Sequence, residues 1–464
     1  MSFQLELSEC VAPLDAALIG GSVAVEGVSI DTRTLKPGEL YIAIVGERFN
    51  GHAFVEAARE AGAAAIMVHE EVNCELPQLR VADTQTALGR LGKFWASRFA
   101  IPTVAVTGSN GKTTVKEIIT CILQQQGPVL ATKGNLNNEL GVPLTLLNMR
   151  KEHDYAVVEM GASHAGEIAR LVALVEPDVA VVTNIGTAHL EGFGSVEGIA
   201  NAKSEIYAGL KSDGYGVINA DDAFADVMRA ACLHCRTREF GLTDDADVSG
   251  SFGHELLINS IGKTISPRFR LAGKHNVLNA LAAVAAAQCM DVQADSIIRG
   301  LEAVSPVPGR LERKPGAQGA AIIDDSYNAN PDSVRSAIEV LAAHRGKRYL
   351  VLGDMGELGP DAPSMHSEIG QFAREQGIEG LWTTGALSSE TCKAFHDSAF
   401  GPVPEQGAHF VDHESLIASL RECLADDVTV LIKGSRSARM ERVVNAVLSS
   451  GTGQSDTVAA GAHS

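Results

Sequence analysis

The chain has 464 residues, 45% of them hydrophobic and 20% charged, with a net charge of −19 and a pI near 5.2. That length suggests about three domains at roughly 150 residues each, and the excess of acid argues against unguided binding to nucleic acid or an anionic membrane, which need a basic surface. No run approaches the roughly 18 apolar residues of a membrane span, the start MSFQLELSEC is not a signal peptide, and the eight cysteines are scattered as in a reduced cytosolic protein.

Residues 1–84 hold short apolar runs broken by turn residues, VSIDTR, LYIAIVG, AAAIMVHE and QLRVAD, the pattern of a small α/β domain. TQTALGRLGKFWASRF is helical and opens a second region, 85–310, in which strands and helices alternate. PTVAVTG is a β-rich run. KTTVKEIITCILQQQG carries Val115, Ile118, Ile119, Ile122 and Leu123, the apolar stripe of an amphipathic helix. YAVVEMG, DVAVVTNIG and GYGVINADD follow as strand-like runs with helices between them, which implies a mainly parallel sheet covered by helices. AFADVMRAACLHCRTREFG reads as a helix and its exit. Its Cys232 and Cys235 have C-x-x-C spacing but lack the second pair a zinc site wants, so they read as inert. The Ala-rich helix NVLNALAAVAAAQCM closes the region, and SPVPGRLERKPGAQG reads as a linker. AAIIDDSYNAN, RYLVLGDMGELG, GLWTTGA and VTVLIKGSRSARME then repeat the strand–loop logic over 311–450, a Rossmann-like domain, and 451–464 reads as a disordered tail. The expected fold is α/β in three domains, with a P-loop parallel-sheet domain at the centre.

The chemistry centres on AVTGSNGKTT, residues 105–114. The common phosphate loop is G-x-x-x-x-G-K-[ST], but here Val106 holds the first glycine position and Gly108 comes two residues late. The physical requirements are still met. Gly108 and Gly111 let backbone N–H groups turn toward phosphate oxygens, a helix N-terminus follows, and Lys112 and Thr113 supply a cation and a hydroxyl. Polar residues also cluster just past the strands: Glu159, Asn184 to His189, Asp324 to Asn330, Asp354 to Glu357 and Lys433 to Arg436. Ligands of open α/β sheets bind at such strand ends. Taken singly, Glu159 is as often a surface carboxylate as a Mg²⁺ ligand, His189 reads as structural, and Lys203 as a solvated helix lysine.

Read together, TGSNGKTT, GKHNVLNALAA and PGRLE resemble the Mur ligase superfamily. DTRTLKPGELYIAIVGERFNGHAF, GNLNNELGVPLTLL, VVEMGASHAGEI, AHLEGFGSVEGIANAKSEI, DDSYNANPDS, VLGDMGELG and KGSRSARME resemble, more narrowly, the members that join D-alanyl-D-alanine to UDP-N-acetylmuramoyl-tripeptide (UDP-MurNAc-tripeptide), from about residue 29 to 445. The resemblance implies an ATP- and Mg²⁺-dependent carboxylate–amine ligase of peptidoglycan precursor synthesis, cytoplasmic and monomeric, with the tripeptide nucleotide and the dipeptide as substrates. It implies that Thr107, Gly108, Ser109, Asn110, Gly111, Lys112, Thr113 and Thr114 hold the phosphates of ATP, with Thr113 also on Mg²⁺. Asn276 and Asn279 would lie on the adenine side, Arg310 by the phosphates and Asp325 on the ribose. Glu159 and His189 would bind a second Mg²⁺, and Lys203 would be carbamylated and join the metal ligands, making Lys112, Glu159, His189 and Lys203 the catalytic set. Asp31, Thr32 and Arg33, with Arg48, Asn50, Gly51 and His52, would hold the uridine-nucleotide side. Asn135, Asn137 and Asn138 would bind substrate, and Asn328, Asn330, Ser435 and Arg436 would lie near the peptide and dipeptide. Asn50 stands where the family usually has Asp, and Asn110 where serine is common; the first removes a charge on the nucleotide-sugar side, and the second keeps a small polar loop residue.

Three rivals have distinguishing marks. A ligase adding the third amino acid, of the diaminopimelate type, would carry Asn-Pro-Arg in its last domain, where this chain has NANPDS, and a folylpolyglutamate synthase would lack the motif near residues 31–54. A regulatory NTPase would form no product with amine and carboxylate. A non-catalytic descendant should have lost Lys112, Glu159, His189 or Lys203, and all are present.

Overall fold

The computed structural model describes residues 3–46, 49–252, 255–260, 263–397 and 406–449. Arg48 and the tail 451–464 lie outside the described residues. The chain divides into two compact units. The first holds Met1–Gly186, Gly192–Arg270 and Lys274–Ser305; the second holds Thr187–Glu191, Leu271–Gly273 and Pro306–Ser464.

The first unit begins with a five-stranded sheet in the order Ala17–Ile19, Gln78–Arg80, Ala65–Val68, Leu40–Ile42, Val28–Ser29. Each of the four apolar runs read in this region contains one of these strands, Ala17–Ile19 being the fifth. Leu40, Ile42, Met67 and Leu79 of this sheet share one hydrophobic cluster with Leu88, Leu91 and Trp95 of the helix Thr84–Ala96 and with Leu146, Leu147 and Met149 further along. The Trp95 indole N–H donates to the Met149 carbonyl at 2.9 Å, so the one polar group of a buried ring is satisfied.

The larger sheet runs Val129–Ala131, Tyr155–Glu159, Thr103–Thr107, Val179–Val182, Tyr215–Asn219, Arg236–Gly241, Val248–Phe252, Leu256–Ser260, Lys263–Ile265. The first seven strands are mutually parallel, and the last two are added through antiparallel pairings, Leu256–Ser260 to Val248–Phe252 and Lys263–Ile265 to Leu256–Ser260. Thr103–Thr107 pairs with Tyr155–Glu159 on one side and Val179–Val182 on the other. The chain therefore leaves this strand where successive connections diverge, the crevice at which open α/β sheets bind ligands. Helix Lys112–Leu123 buries its whole predicted stripe, Val115, Ile118, Ile119, Ile122 and Leu123. Helix Lys274–Cys289 is buried almost all round, as its alanines allow.

Two stretches depart from the sequence reading. The helix at Ala225–Ala231 is short, and its exit continues into the strand Arg236–Gly241, which gains five register pairs with Tyr215–Asn219. Such pairing is decided by neighbours rather than by local pattern. Burial raises both thiols, Cys232 and Cys235, away from the thiolate form a metal requires. The supposed linker contains the strand Glu312–Pro315, antiparallel to Ala321–Asp325, with the Lys314 ammonium between Asp324 at 2.6 Å and Glu312 at 3.0 Å. Pro315 is tolerated because this strand lies at the sheet edge.

The second unit has a six-stranded sheet in the order Glu312–Pro315, Ala321–Asp325, Val428–Lys433, Lys347–Gly353, Gly380–Thr384, His409–Phe410, parallel apart from the first strand. It has cores of its own on the two faces, one around Ile338, Leu350 and Leu431 and one around Trp382, Val430 and Val443.

Candidate active site

In the first unit the loop after Thr103–Thr107 is built for close approach. Gly108 has φ of 146°, and a Cβ there would lie 1.9 Å from the Thr183 hydroxyl. Gly111 has φ of 80°, and a Cβ there would lie 2.3 Å from Asn279 Oδ1. These are the two glycines that the displaced pattern keeps. Asn184 fixes the loop from the neighbouring strand end: its carbonyl accepts the Ser109 N–H at 2.9 Å and its Oδ1 accepts the Asn110 N–H at 3.0 Å. The Thr183 hydroxyl donates to the Asn110 carbonyl at 2.6 Å. Asn279 in turn donates to Asn276 Oδ1 at 3.0 Å on the helix packed beside the loop. Gly111→Ala therefore meets a steric contact and a disfavoured backbone, the latter alone costing about 1–2 kcal/mol. It is expected to weaken ATP binding at least ~10-fold in calorimetric titration, since ~1.4 kcal/mol is tenfold.

Lys112 opens the helix and its Nζ folds back onto the loop, donating to the carbonyls of Gly108 at 2.8 Å and Ser109 at 3.3 Å. Thr113 is buried beside it, and the Thr107 hydroxyl donates to the Met160 carbonyl at 2.7 Å. Thr114 is half-buried on the same first turn.

Glu159 ends the adjacent strand and is 2% exposed. Its Oε1 accepts from Asn137 Nδ2 at 2.7 Å, while its Oε2 is buried with no hydrogen-bond partner among the described residues. An orphaned carboxylate oxygen is costly unless a cation meets it.

Lys203 lies on helix Val196–Ser204, whose start Ser195 caps by accepting the Gly198 N–H at 3.0 Å. The side chain is fully buried. Its Nζ donates to the Ala162 carbonyl at 3.1 Å and sits 5.3 Å from the Phe193 ring centroid. Burial lowers the ammonium from its usual 10.5 to about 7; like-charge repulsion from Lys112 adds to this, and Glu167 and Glu205 oppose it. The solvated helix lysine of the sequence reading is thus a buried one.

At the amino-terminal sheet, Asp31 accepts from the Arg33 backbone N–H at 3.0 Å and from its guanidinium at 2.6 Å, which holds the Asp31 carboxyl at about 2. Thr32, between them, is half-buried. Asn50 Oδ1 accepts from the His52 N–H at 3.0 Å and lies 2.8 Å from His52 Nδ1, while His52 Nε2 accepts the His69 N–H at 3.1 Å. The ring is therefore neutral with its proton on Nδ1, and burial, then His69, lowers its pKa. Gly51 is buried against the backbone of Ile44, where no Cβ would fit. The Asn at position 50 thus keeps a structural role without the family's charge.

The Asn135 carbonyl accepts the Asn137 N–H at 2.8 Å, and Asn138 Oδ1 accepts the N–H of Gly141, the first residue of helix Gly141–Leu146, at 2.9 Å. The side chains of Asn137 and Asn138, expected among substrate contacts, are both engaged by protein groups.

In the second unit, His189 pairs through Nδ1 with Glu357 Oε2. Both residues have positive φ, 60° and 59°, a conformation that is uncommon outside glycine and that clusters at functional sites. Asp332 accepts from the Thr187 N–H at 2.8 Å and its hydroxyl at 2.9 Å, holding the same segment. Asp325 gives Oδ1 to the Leu311 N–H at 3.1 Å and Oδ2 to Lys433 Nζ at 2.6 Å; burial raises its carboxyl and Lys433 opposes this. Lys433 also donates to the Asn328 carbonyl at 2.8 Å. Arg310 stacks on Tyr327 with 4.3 Å from its guanidinium carbon to the ring centroid. Asn330 caps helix Pro331–Ala342 by accepting the Ser333 N–H at 2.9 Å. Ser435 N–H donates to the Asp354 carbonyl at 2.9 Å, and Arg436 is exposed.

Sequence reading assigned no role to Asn184, Thr183, Lys433 or Glu357, although all sit in or beside the polar clusters past the strands. Their position just beyond strand ends was the available signal; the partner of each was not.

The pattern of the Mur ligase middle domain matches residues 106–287, that of the Mur ligase glutamate ligase domain 309–436, and that of the Mur ligase family catalytic domain 24–110. The chain is 40% identical over 457 residues to the UDP-N-acetylmuramoyl-tripeptide–D-alanyl-D-alanine ligase of Escherichia coli strain K12, covering 96% of this chain and 99% of that protein. The crystal structure of MurF from Acinetobacter baumannii superposes with a TM-score of 0.90 at 33% identity, over 96% of this chain and 98% of that one. MurF ligase from Thermotoga maritima in complex with ADP gives 0.80 at 30% identity, over 90% and 96%.

Proposed function

The chain belongs to the Mur ligase family, and from that membership we propose that it uses ATP to join D-alanyl-D-alanine to UDP-MurNAc-tripeptide, whose third residue is diaminopimelate or lysine. The products are UDP-MurNAc-pentapeptide, ADP and phosphate, as a cytoplasmic monomer would make them for peptidoglycan. The observation that carries this is 40% identity to the E. coli ligase over nearly the whole of both chains. The departures at Asn50 and Asn110 leave Lys112, Glu159 and Lys203 in place. We keep 1–84, 85–310 and 311–450 as the nucleotide-substrate, ATP and closing domains.

The reaction passes the terminal phosphoryl of ATP to the tripeptide carboxylate. The dipeptide amine attacks the acyl phosphate, and phosphate leaves the tetrahedral intermediate. Lys112, with the backbone N–H groups of the loop, stabilises charge on the transferred group, and positioning and electrostatics carry most of such a transfer. Glu159 suits Mg²⁺: a hard, buried carboxylate with one oxygen unpartnered. Held there, Mg²⁺ would supply positive charge to offset that of the phosphates and the carboxylate. Thr113 and a carbamylated Lys203 complete the proposed metal ligands of this unit, and the assignment of His189 as a ligand rests on its motif alone.

Phosphate release from ATP is expected only when UDP-MurNAc-tripeptide and D-Ala-D-Ala are both present, with a product heavier by the dipeptide. Release that needs instead a folate with glutamate, or a UDP-MurNAc-dipeptide with an amino acid, would move the substrate. Hydrolysis indifferent to all of them would sink the ligase reading.

A further inference from the structure

Asn137 lies in GNLNNELG, a stretch whose asparagines the family resemblance assigns to substrate binding. Its side chain does something narrower. Nδ2 donates to Glu159 Oε1 at 2.7 Å, its carbonyl accepts the Gly161 N–H at 2.7 Å, and its own N–H donates to the Asn135 carbonyl at 2.8 Å. A Cβ on Gly161 would stand 3.0 Å from Asn137 Oδ1 and 3.1 Å from Nδ2, so the bare glycine gives the amide room against the strand exit. The backbone of Glu159 is held from another side. Its N–H donates to the Thr132 hydroxyl at 3.0 Å, and the Thr132 carbonyl accepts from the buried Lys116 at 3.0 Å. Main chain and one carboxylate oxygen are fixed, and Oε2 alone is left over.

We propose that Asn137 is a positioning residue for Glu159, and that its amide decides which carboxylate oxygen is offered to a divalent cation. This rests on the reading of Glu159 as a metal ligand. The donor type matters. A neutral amide pins the carboxylate without cancelling its charge, whereas a lysine or arginine would compete with the cation for it. Partners of this kind orient metal ligands, and their loss typically costs about 10–100-fold in metal affinity.

The experiment is a Mn²⁺ titration followed by electron paramagnetic resonance. It uses the full chain with a non-hydrolysable ATP analogue and UDP-MurNAc-tripeptide, and compares wild type with Glu159→Gln, Asn137→Ala and Asn137→Leu. Leu retains the volume and removes the donor, so it decides the matter should the alanine variant unfold. Glu159→Gln is expected to abolish one class of bound Mn²⁺. Both Asn137 variants are expected to weaken that same class about 10–100-fold, with KM for tripeptide nucleotide and dipeptide within about twofold of wild type. Unchanged Mn²⁺ affinity with a raised KM for either substrate would make Asn137 a substrate contact and overturn the proposal, leaving Glu159 as a ligand. Unchanged Mn²⁺ binding in Glu159→Gln would overturn the metal reading beneath it.

Discussion

Lys112→Ala is expected to reduce kcat at least ~100-fold, because one preorganised charge contact at a developing anion is typically worth that much or more. The fold gives the residue no understudy within the loop. It is the first residue of its helix, and its ammonium rests on the carbonyls of Gly108 and Ser109, within the loop that would receive the phosphates. Lys112→Arg should not restore the rate, since a planar fork cannot occupy the seat of a compact ammonium. The melting temperature should move little, which separates the chemical loss from unfolding. Single-turnover phosphate release by the purified variant is the measurement. Retention of more than about a tenth of wild-type turnover would contradict a role this large.

The second large effect is at Lys203. A lysine with a pKa of 10.5 is about 0.03% neutral at pH 7; at the value of about 7 that burial imposes, about half is neutral. Only the neutral amine has the lone pair that attacks CO₂. The new N–C bond makes a carbamate and releases a proton, converting an ammonium into an anion that metal can accept. Lys203→Ala is expected to be inactive and partly rescued by short carboxylates such as formate or acetate. Full activity of the variant without them would dispose of the carbamate. The same shift has a stability sign. The pKa is lower in the folded chain than in the unfolded one, so burying this lysine destabilises the fold fully below about pH 7. That cost fades as pH rises from 7 to 10.5, and at its largest it is about 5 kcal/mol. In a CO₂-free buffer at pH 6, Lys203→Met should therefore melt higher than wild type while remaining inactive. An unchanged or lower melting temperature would mean the ammonium is not disfavoured there.

Much of this was legible in the sequence because the signals are local. The stripe Val115 to Leu123 and the turn at Gly108 and Gly111 are each set by neighbours a few residues apart. What escaped depends on contacts distant in the chain. Asn137 and Glu159 meet across 22 residues and Asp325 and Lys433 across 108, and no periodicity reports such pairs. The strand Glu312–Pro315 was hidden for the same reason, since Pro and Gly spoke locally for a linker while its partner strand spoke for a ladder. Lys203 looks solvated from its local sequence because a helix lysine usually is; its burial comes from packing that the local sequence does not report.

The hydrophobic cluster of the first unit draws Leu40 and Met67 from the amino-terminal sheet, Trp95 from the helix after it, and Met149 from the larger sheet's surroundings. A boundary at residue 84 is therefore a division of labour and not a seam along which the chain could come apart. The amino-terminal sheet and the larger sheet's surroundings share that cluster within one compact unit, so the two are expected to unfold together, as a single calorimetric transition for this unit would show. A core substitution in the first, such as Leu40→Ala, is therefore expected to destabilise the second as well.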